Sequence, residues 1–159
     1  MSNLTHIDGE GNSRMVEVGP KPITNREAMA EGFIELTPEA MQHLHSGVNA
    51  KGDVLTVAQL AGIQGAKKTS DIIPLCHPIP LTGVEVLFER TDEGVWARAI
   101  ARAQWRTGVE MEAMTAVSAA LLTIYDMVKA VDKTMTIRCV RLLEKRGGRS
   151  GEWHRTVTD

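Results

Sequence analysis

An α+β fold, one antiparallel sheet with helices packed on a single face, is what this sequence of 159 residues predicts. Three patterns carry the expectation. Over residues 26–36, Ala28, Ala30, Ile34 and Leu36 alternate with Glu27, Glu31 and Glu35, a period of two that favours a strand over the helix Ala and Glu would suggest. Residues 81–90 and 95–105 form two further strand-like runs joined by Thr91-Asp92-Glu93-Gly94, a hairpin turn. Met114, Val117, Leu121, Ile124, Val128 and Val131 follow a 3,4,3,4,3 spacing, one continuous helical stripe facing a partner surface.

The remaining elements follow in chain order. Residues 1–14 are polar and Gly-containing and offer nothing to pack, so a mobile arm is expected there, ahead of a single catalytic domain over 15–145. Met15-Val16-Glu17-Val18 reads as a short extended piece before Gly19-Pro20. After the first strand, Thr37-Pro38-Glu39 supplies an N-cap, a proline at the first helical position and an early acid, and Gly47 ends a helix over 38–46. Asp53 caps a helix carrying Val54, Val57, Leu60, Ala61 and Ile63 and ending near Lys67-Lys68. Pro74, Pro78 and Pro80 leave Leu75-Cys76-His77 on a stiff loop. The hairpin comes next, then the long helix over about 109–131, then an alternating strand over 135–143. Gly147-Gly148-Arg149-Ser150-Gly151 opens a flexible basic tail over 146–159. Strand, helices, strand, strand, helix, strand is the order of a ferredoxin-like split βαβ layer with four antiparallel strands.

Composition narrows the function classes. The chain is long enough to bury a core without disulfides or a structural metal, and with 4% aromatics it must pack through small and flexible side chains. A net charge of −2 lacks the electrostatic footprint of a nonspecific nucleic-acid binder, while a small polyanionic ligand stays open. Cys76 and Cys139 are the two cysteines, there is no secretory segment at the start, and no apolar run reads as long enough to span a bilayer. A cytoplasmic protein with no membrane partner is the expectation. Gly147-Gly148-Arg149-Ser150-Gly151 is not followed by a helix, and no Walker or dinucleotide glycine loop occurs elsewhere, which weighs against an ATPase or a dehydrogenase.

Ionisable residues inside the long apolar helix point to chemistry. Glu110 stands three residues after Thr107, the capping-box spacing, so it either satisfies backbone donors or acts in a site. Glu112 has no such structural task, although the helix dipole favours an acid there. Asp126 and Lys129, at i and i+3, form either a surface ion pair or, beside Leu122 and Tyr125, a partly buried pair that moves the lysine's proton affinity. Glu112 and Asp126 are 14 residues apart, roughly 21 Å along a helix. One small substrate does not span that, so two functional ends require a site assembled from two copies of the chain. His77 sits on the proline-stiffened loop, either as a satisfied structural histidine or as a binding residue. A zinc site is disfavoured, because Cys76 and His77 are adjacent and lack paired-ligand spacing, and His43 and His45 point to different sides of a helix. Lys51, Lys67, Lys68, Lys145 and Arg149 are either plain surface charge or parts of a phosphate site.

Several motifs in order carry a resemblance: Lys51-Gly52-Asp53-Val54, Ala61-Gly62-Ile63-Gln64, Ile73-Pro74-Leu75-Cys76-His77-Pro78, Thr107-Gly108-Val109-Glu110-Met111-Glu112-Ala113, and Ile124-Tyr125-Asp126-Met127 with Lys129-Ala130. With them, from Leu4-Thr5-His6 to Gly147-Gly148-Arg149-Ser150-Gly151, the chain resembles the MoaC family, the cyclic pyranopterin monophosphate synthases of molybdenum cofactor biosynthesis. The resemblance implies a lyase that converts (8S)-3′,8-cyclo-7,8-dihydroguanosine 5′-triphosphate into cyclic pyranopterin monophosphate with release of diphosphate. It implies Asp126, Lys51 and Lys129 as catalytic positions, and Leu75, Cys76, His77, Met111 and Glu112 as substrate-contacting ones. It also implies a hexamer, a trimer of dimers with sites between subunits. No cofactor is expected beyond Mg²⁺ accompanying the triphosphate. Ring opening and rebuilding needs several proton transfers, so half-desolvated Lys51 and Lys129 are expected to shuttle protons as neutral bases, Asp126 to orient Lys129, and His77 and Glu112 to hold the base portion, with Glu110 among the substrate-binding residues. Arg26, Lys67 and Lys145 are expected on the triphosphate. The competing readings are a non-catalytic oligomeric nucleotide-binding scaffold, and a metal-dependent phosphohydrolase whose activity a chelator removes.

Overall fold

Alanines alternating with charged residues build the centre of a sheet. In the computed structural model, which describes residues 6, 7, 9–46 and 52–156, the chain runs β1 (Thr24–Glu35), α1 (Pro38–Ser46), α2 (Val54–Lys67), α3 (Thr69–Ile72), β2 (Leu81–Arg90), β3 (Gly94–Trp105), α4 (Glu110–Val128), β4 (Thr136–Arg146) and β5 (Trp153–His154). Ala28 and Ala30 of β1 and Ala97, Ala99, Ala101 and Ala103 of β3 are buried on one face. Glu27, Glu31 and Glu35 stand on the other, where they pair with arginines of the neighbouring strands. Glu31 is buried, yet it accepts from Arg98 Nη2 at 3.2 Å and Arg141 Nη2 at 2.7 Å, so its charge is compensated from both sides. The strand period therefore overrides the helix propensity of Ala and Glu.

The strand order is β2-β3-β1-β4-β5, with each neighbouring pair antiparallel. Its first four members have the neighbours that a split βαβ arrangement requires. The expected four-stranded sheet is corrected to five, because Glu144 pairs with His154 and Lys145 with Trp153. Gly147 and Gly148, at φ +93° and +79°, turn the chain back along the open edge of β4. A two-residue strand carries no readable period, so the sequence could not announce it.

Helices α2 and α4 cover the alanine face, and small residues let them approach closely. A Cβ on Gly65 would lie 2.7 Å from the Ala119 Cβ, and one on Gly62 would lie 3.0 Å from the Ala116 carbonyl. The stripe expected on α4 is the buried one: Val117, Leu121, Ile124 and Val128 are each 0% exposed. This helix, Glu110–Val128, is long and apolar enough to cross a bilayer by length and composition, contrary to the expectation that no such run exists. Its burial against the sheet makes it a core helix.

Four local differences remain. Residues 15–18 join no strand, and the short α3 was not foreseen; it continues the turn of α2, with Thr69 Oγ1 donating to the Ala66 carbonyl at 3.0 Å. The long helix stops at Val128 rather than near 131, where Val131 N and Asp132 N both donate to the Val128 carbonyl in a closing turn. Strand β4 reaches Arg146, three residues past its expected end, because β1 continues to pair with it.

Candidate active-site cleft

Three segments without regular structure meet at the start of α4. The proline-stiffened loop at 73–80, the N-terminal segment at 16–21 and the turn at 106–109 enclose a cavity of about 230 Å³ lined by His6, Val16, Val18, Lys21, Leu75, Cys76, His77, Glu110, Met111 and Glu112 among others. His77 Nε2 lies 2.8 Å from the Val16 carbonyl. A carbonyl only accepts, so Nε2 carries the hydrogen, and the contact ties the loop to the N-terminal segment. Burial pushes the Cys76 thiol above its ordinary pKa, and the nearby Glu112 adds to the shift, so this sulfur is no ready nucleophile.

Glu112 dominates this half of the cleft. It is 3% exposed, and burial raises its pKa from 4.5 to about 7, with the neighbouring charge of Glu110 pushing the same way. A shift of that size corresponds to about 3 kcal/mol. The dipole at the N-terminus of α4, worth about 0.3–1 kcal/mol, opposes it and loses. A carboxyl poised near neutrality in a cleft is able both to give and to take a proton. The capping box expected between Thr107 and Glu110 does not form. Val109 is the N-cap and makes no side-chain cap, which puts Glu110 in the first helical position, too early to reach back as an N3 residue does. Its carboxylate instead folds over Gly108, where a Cβ would meet Oε2 at 2.0 Å.

A second cavity of about 450 Å³ continues from the first through Lys21, Thr107, Gly108 and Glu110, which line both. Its walls carry Lys21, Arg26, Arg106, Lys145 and Arg149, and Glu110 is the one carboxylate among its described lining residues. Arg26 projects from β1 and is pinned, its Nε donating to the Trp105 carbonyl at 3.2 Å and its Nη2 to the Arg106 carbonyl at 3.3 Å. Its Nη1 occupies the place of a Cβ on Gly148, so a side chain there would have to displace the guanidinium, and the backbone angle itself favours glycine. Lys145 Nζ donates to Ser150 Oγ across the glycine loop. Thr24 Oγ1, beside these cations, is the buried side-chain polar atom without a partner among the described residues. Clustered cations and the uncapped start of α4 together suit a polyanion.

The cleft thus gathers Leu75, Cys76, His77, Glu110, Met111, Glu112, Arg26 and Lys145. It does not gather the others. Lys67 is exposed at the end of α2 and lines neither half. Lys51 lies outside the described residues. Asp126 and Lys129 sit at the far end of α4, hydrogen-bonded to each other and 53% and 51% exposed. The partly buried pair envisaged from Leu122 and Tyr125 is absent in the single chain, because that side of the helix faces away from the sheet and Leu122 is itself 60% exposed. Contact with Asp126 raises the Lys129 pKa, so here the lysine holds its proton more firmly, the reverse of a neutral base. No group of three His, Cys, Asp or Glu side chains converges among the described residues. His6, Lys21 and Arg106 escaped the sequence reading. They lie on irregular segments, where no period marks which face a residue takes; Arg106's position directly before the Thr107 motif was the one available signal.

A sequence model of the MoaC family matches residues 15–148. A cyclic pyranopterin monophosphate synthase of Thermomicrobium roseum is 54% identical over 98% of this chain and 95% of its own length. One of Novosphingobium aromaticivorans is 55% identical over 96% of this chain and 98% of its own length.

Proposed function

The chain belongs to the MoaC family and acts as a cyclic pyranopterin monophosphate synthase, a lyase of molybdenum cofactor biosynthesis, and we propose that the two-part cleft beside α4 holds its substrate. The observation that carries this reading is the continuity of the cleft. One half offers a carboxyl titrating near 7, a histidine and a thiol, and the other offers five cations, with Lys21 at the junction. A molecule with a heterocycle at one end and a triphosphate at the other matches both halves at once. The substrate on this reading is (8S)-3′,8-cyclo-7,8-dihydroguanosine 5′-triphosphate.

The chemistry divides in the same way. Rebuilding the purine-derived ring moves protons between nitrogen and carbon, a task for Glu112 with groups of different strength beside it. Forming the cyclic phosphate requires a sugar hydroxyl oxygen to attack the α-phosphorus. The bond from that phosphorus to the bridging oxygen of the β-phosphate then breaks, and diphosphate leaves with the electron pair. Arg26, Lys145 and Arg149 stabilise the charge that accumulates on the departing diphosphate, and Lys21 holds the triphosphate equally in the ground state and the transition state. Any Mg²⁺ belongs with the triphosphate.

Asp126 and Lys129 complete the site from a neighbouring copy, and Lys51 is the third catalytic position that the family resemblance implies. Asp126 is roughly 21 Å along α4 from Glu112, and Lys129, at the C-cap, is roughly 25 Å away, both beyond the reach of one substrate. A homo-oligomer with sites shared between subunits, a hexamer built as a trimer of dimers, removes the difficulty. In such an interface Lys129 loses water that it keeps in the single chain, and desolvation then works against its proton. The two free thiols, Cys76 and Cys139, suit a reducing cytoplasm.

Incubating the purified chain with the cyclised guanosine triphosphate tests the function. Stoichiometric diphosphate and a pterin product are expected. Tight binding with no product would leave the scaffold reading in its place, and metal-dependent release of phosphate with no pterin product would favour a phosphohydrolase.

A further inference from the structure

Lysine and arginine side chains are flexible, and a cleft lined by five of them holds no fixed shape unless they are restrained. Lys145 is held by Ser150, and Arg26 and the backbone at Lys21 are both held at Arg106. Arg106 Nη1 donates to the Gly19 carbonyl and, at 3.2 Å, to the Lys21 carbonyl. Its own carbonyl accepts from Arg26 Nη2 at 3.3 Å. One residue thus grips the N-terminal segment through its side chain and orients Arg26 through its backbone. The other end of that segment is held by His77 on the Val16 carbonyl.

Between the two clamps the chain has neither helix nor strand. Its own hydrogen bonds are local, Lys21 N to the Val18 carbonyl at 3.0 Å and Gly19 N to Glu17 Oε1 at 2.6 Å. Such a turn keeps its shape but has no ladder to fasten it to the body of the protein. Val16 and Val18 nevertheless line the acid–base half of the cleft, and Lys21 lines both halves. Where Lys21 stands therefore depends on what docks the turn.

We propose that Arg106 is a positioning residue that docks residues 16–21 as one wall of the cleft and thereby holds Lys21 where the cation half meets the acid–base half. The identity of the ligand rests on the functional reading above; the docking does not. A planar guanidinium suits the task because one nitrogen is held against two carbonyls while the rest of the fork stays in a fixed plane. An ammonium reaches a carbonyl without fixing that plane.

Arg106→Ala and Arg106→Lys, made in the full chain in its native assembly, test the role by two measurements. The first is amide hydrogen exchange of residues 16–21 without ligand, with α4 as the internal reference. The second is the separate determination of KM and kcat. For Arg106→Ala, exchange in the segment speeds at least about tenfold with α4 unchanged, and KM rises about tenfold while kcat stays within about threefold. Arg106→Lys recovers part of both changes. A raised KM with unchanged exchange overturns the inference and makes Arg106 a direct phosphate ligand. A loosened segment with unchanged KM also overturns it, because the segment is then no part of the binding wall. If the alanine variant loosens α4 as well, the lysine variant decides: smaller shifts of both quantities support the role, and wild-type exchange refutes it. Exchange is read without turnover, so a wild-type chain that releases no diphosphate defeats the functional reading and leaves the docking result standing.

Discussion

Glu112 and Asp126 stand on the same helix, and the protein treats them in opposite ways. Glu112, in the first turn of α4, is 3% exposed and titrates near 7 because burial outweighs the helix dipole. Asp126, in the last turn, is half exposed and hydrogen-bonded to Lys129, which it keeps protonated. At one end a cleft is already built around the acid, with loops, cations and a histidine in place. At the other end the pair is about half exposed and lines neither half of that cleft. A single protomer thus carries one enclosed acid and one open ion pair on the same helix, and the difference between them is desolvation rather than residue type.

The sharpest way to break this comparison is Lys129→Ala. If the open end completes a neighbour's site, kcat falls by about 10²–10⁴-fold, while the fold of each chain is retained, since in the single chain the ion pair is exposed and contributes little to folding. Near-normal turnover would refute the role. Mixing is next in size. Glu112→Ala and Asp126→Ala chains, each inactive alone, are expected to regain about a quarter of wild-type activity when co-assembled in equal amounts, because half of the random pairs contain one site with both defects and one with neither. Continued inactivity would put both ends in sites that do not cross subunits.

Glu112→Gln tests the enclosed end by stability. The folded state holds the Glu112 proton to about 7 against 4.5 in the unfolded chain. Between those values it binds more protons than the unfolded state. Wild-type stability therefore falls as pH rises from 4.5 through 7 and is level above, a loss of about 3 kcal/mol. Glu112→Gln abolishes that slope, leaving the variant more stable than wild type above pH 7 and little changed below 4.5. Urea midpoints at fixed protein concentration measure it, and parallel pH profiles for the two proteins would contradict the burial argument. The smallest effect belongs to Thr24→Val. Replacing the unpartnered hydroxyl with a methyl is expected to stabilise the protein by up to about 1 kcal/mol, readable as a shift of the same midpoint. Destabilisation would mean that the hydroxyl has a partner after all.

The sequence by itself determined the order of the four long strands and of the helices α1, α2 and α4, and the family. Period-two alternation in β1 and the hairpin of β2 and β3, the caps Thr37 and Asp53, and the 3,4 spacing on α4 are local signals, each fixed by backbone geometry within a few residues. Thr56 N donating to Asp53 Oδ1 at 2.7 Å is such a signal realised. Leu75, Cys76, His77, Met111 and Glu112 came instead from the family resemblance carried by contiguous motifs, and all five line one half of the cleft. Tertiary structure alone decided the rest. It brought His6, Lys21 and Arg106 to the cleft from irregular segments, added β5 to the sheet, and displaced the Thr107 capping box by setting Val109 at the helix start. It also left Lys67 outside the cleft and the Asp126–Lys129 pair in water. The physical reason is one of range. Periodicity and capping depend on neighbours a turn away, whereas desolvation and the meeting of charges depend on what distant segments enclose, and a sequence read along its length carries no record of that enclosure.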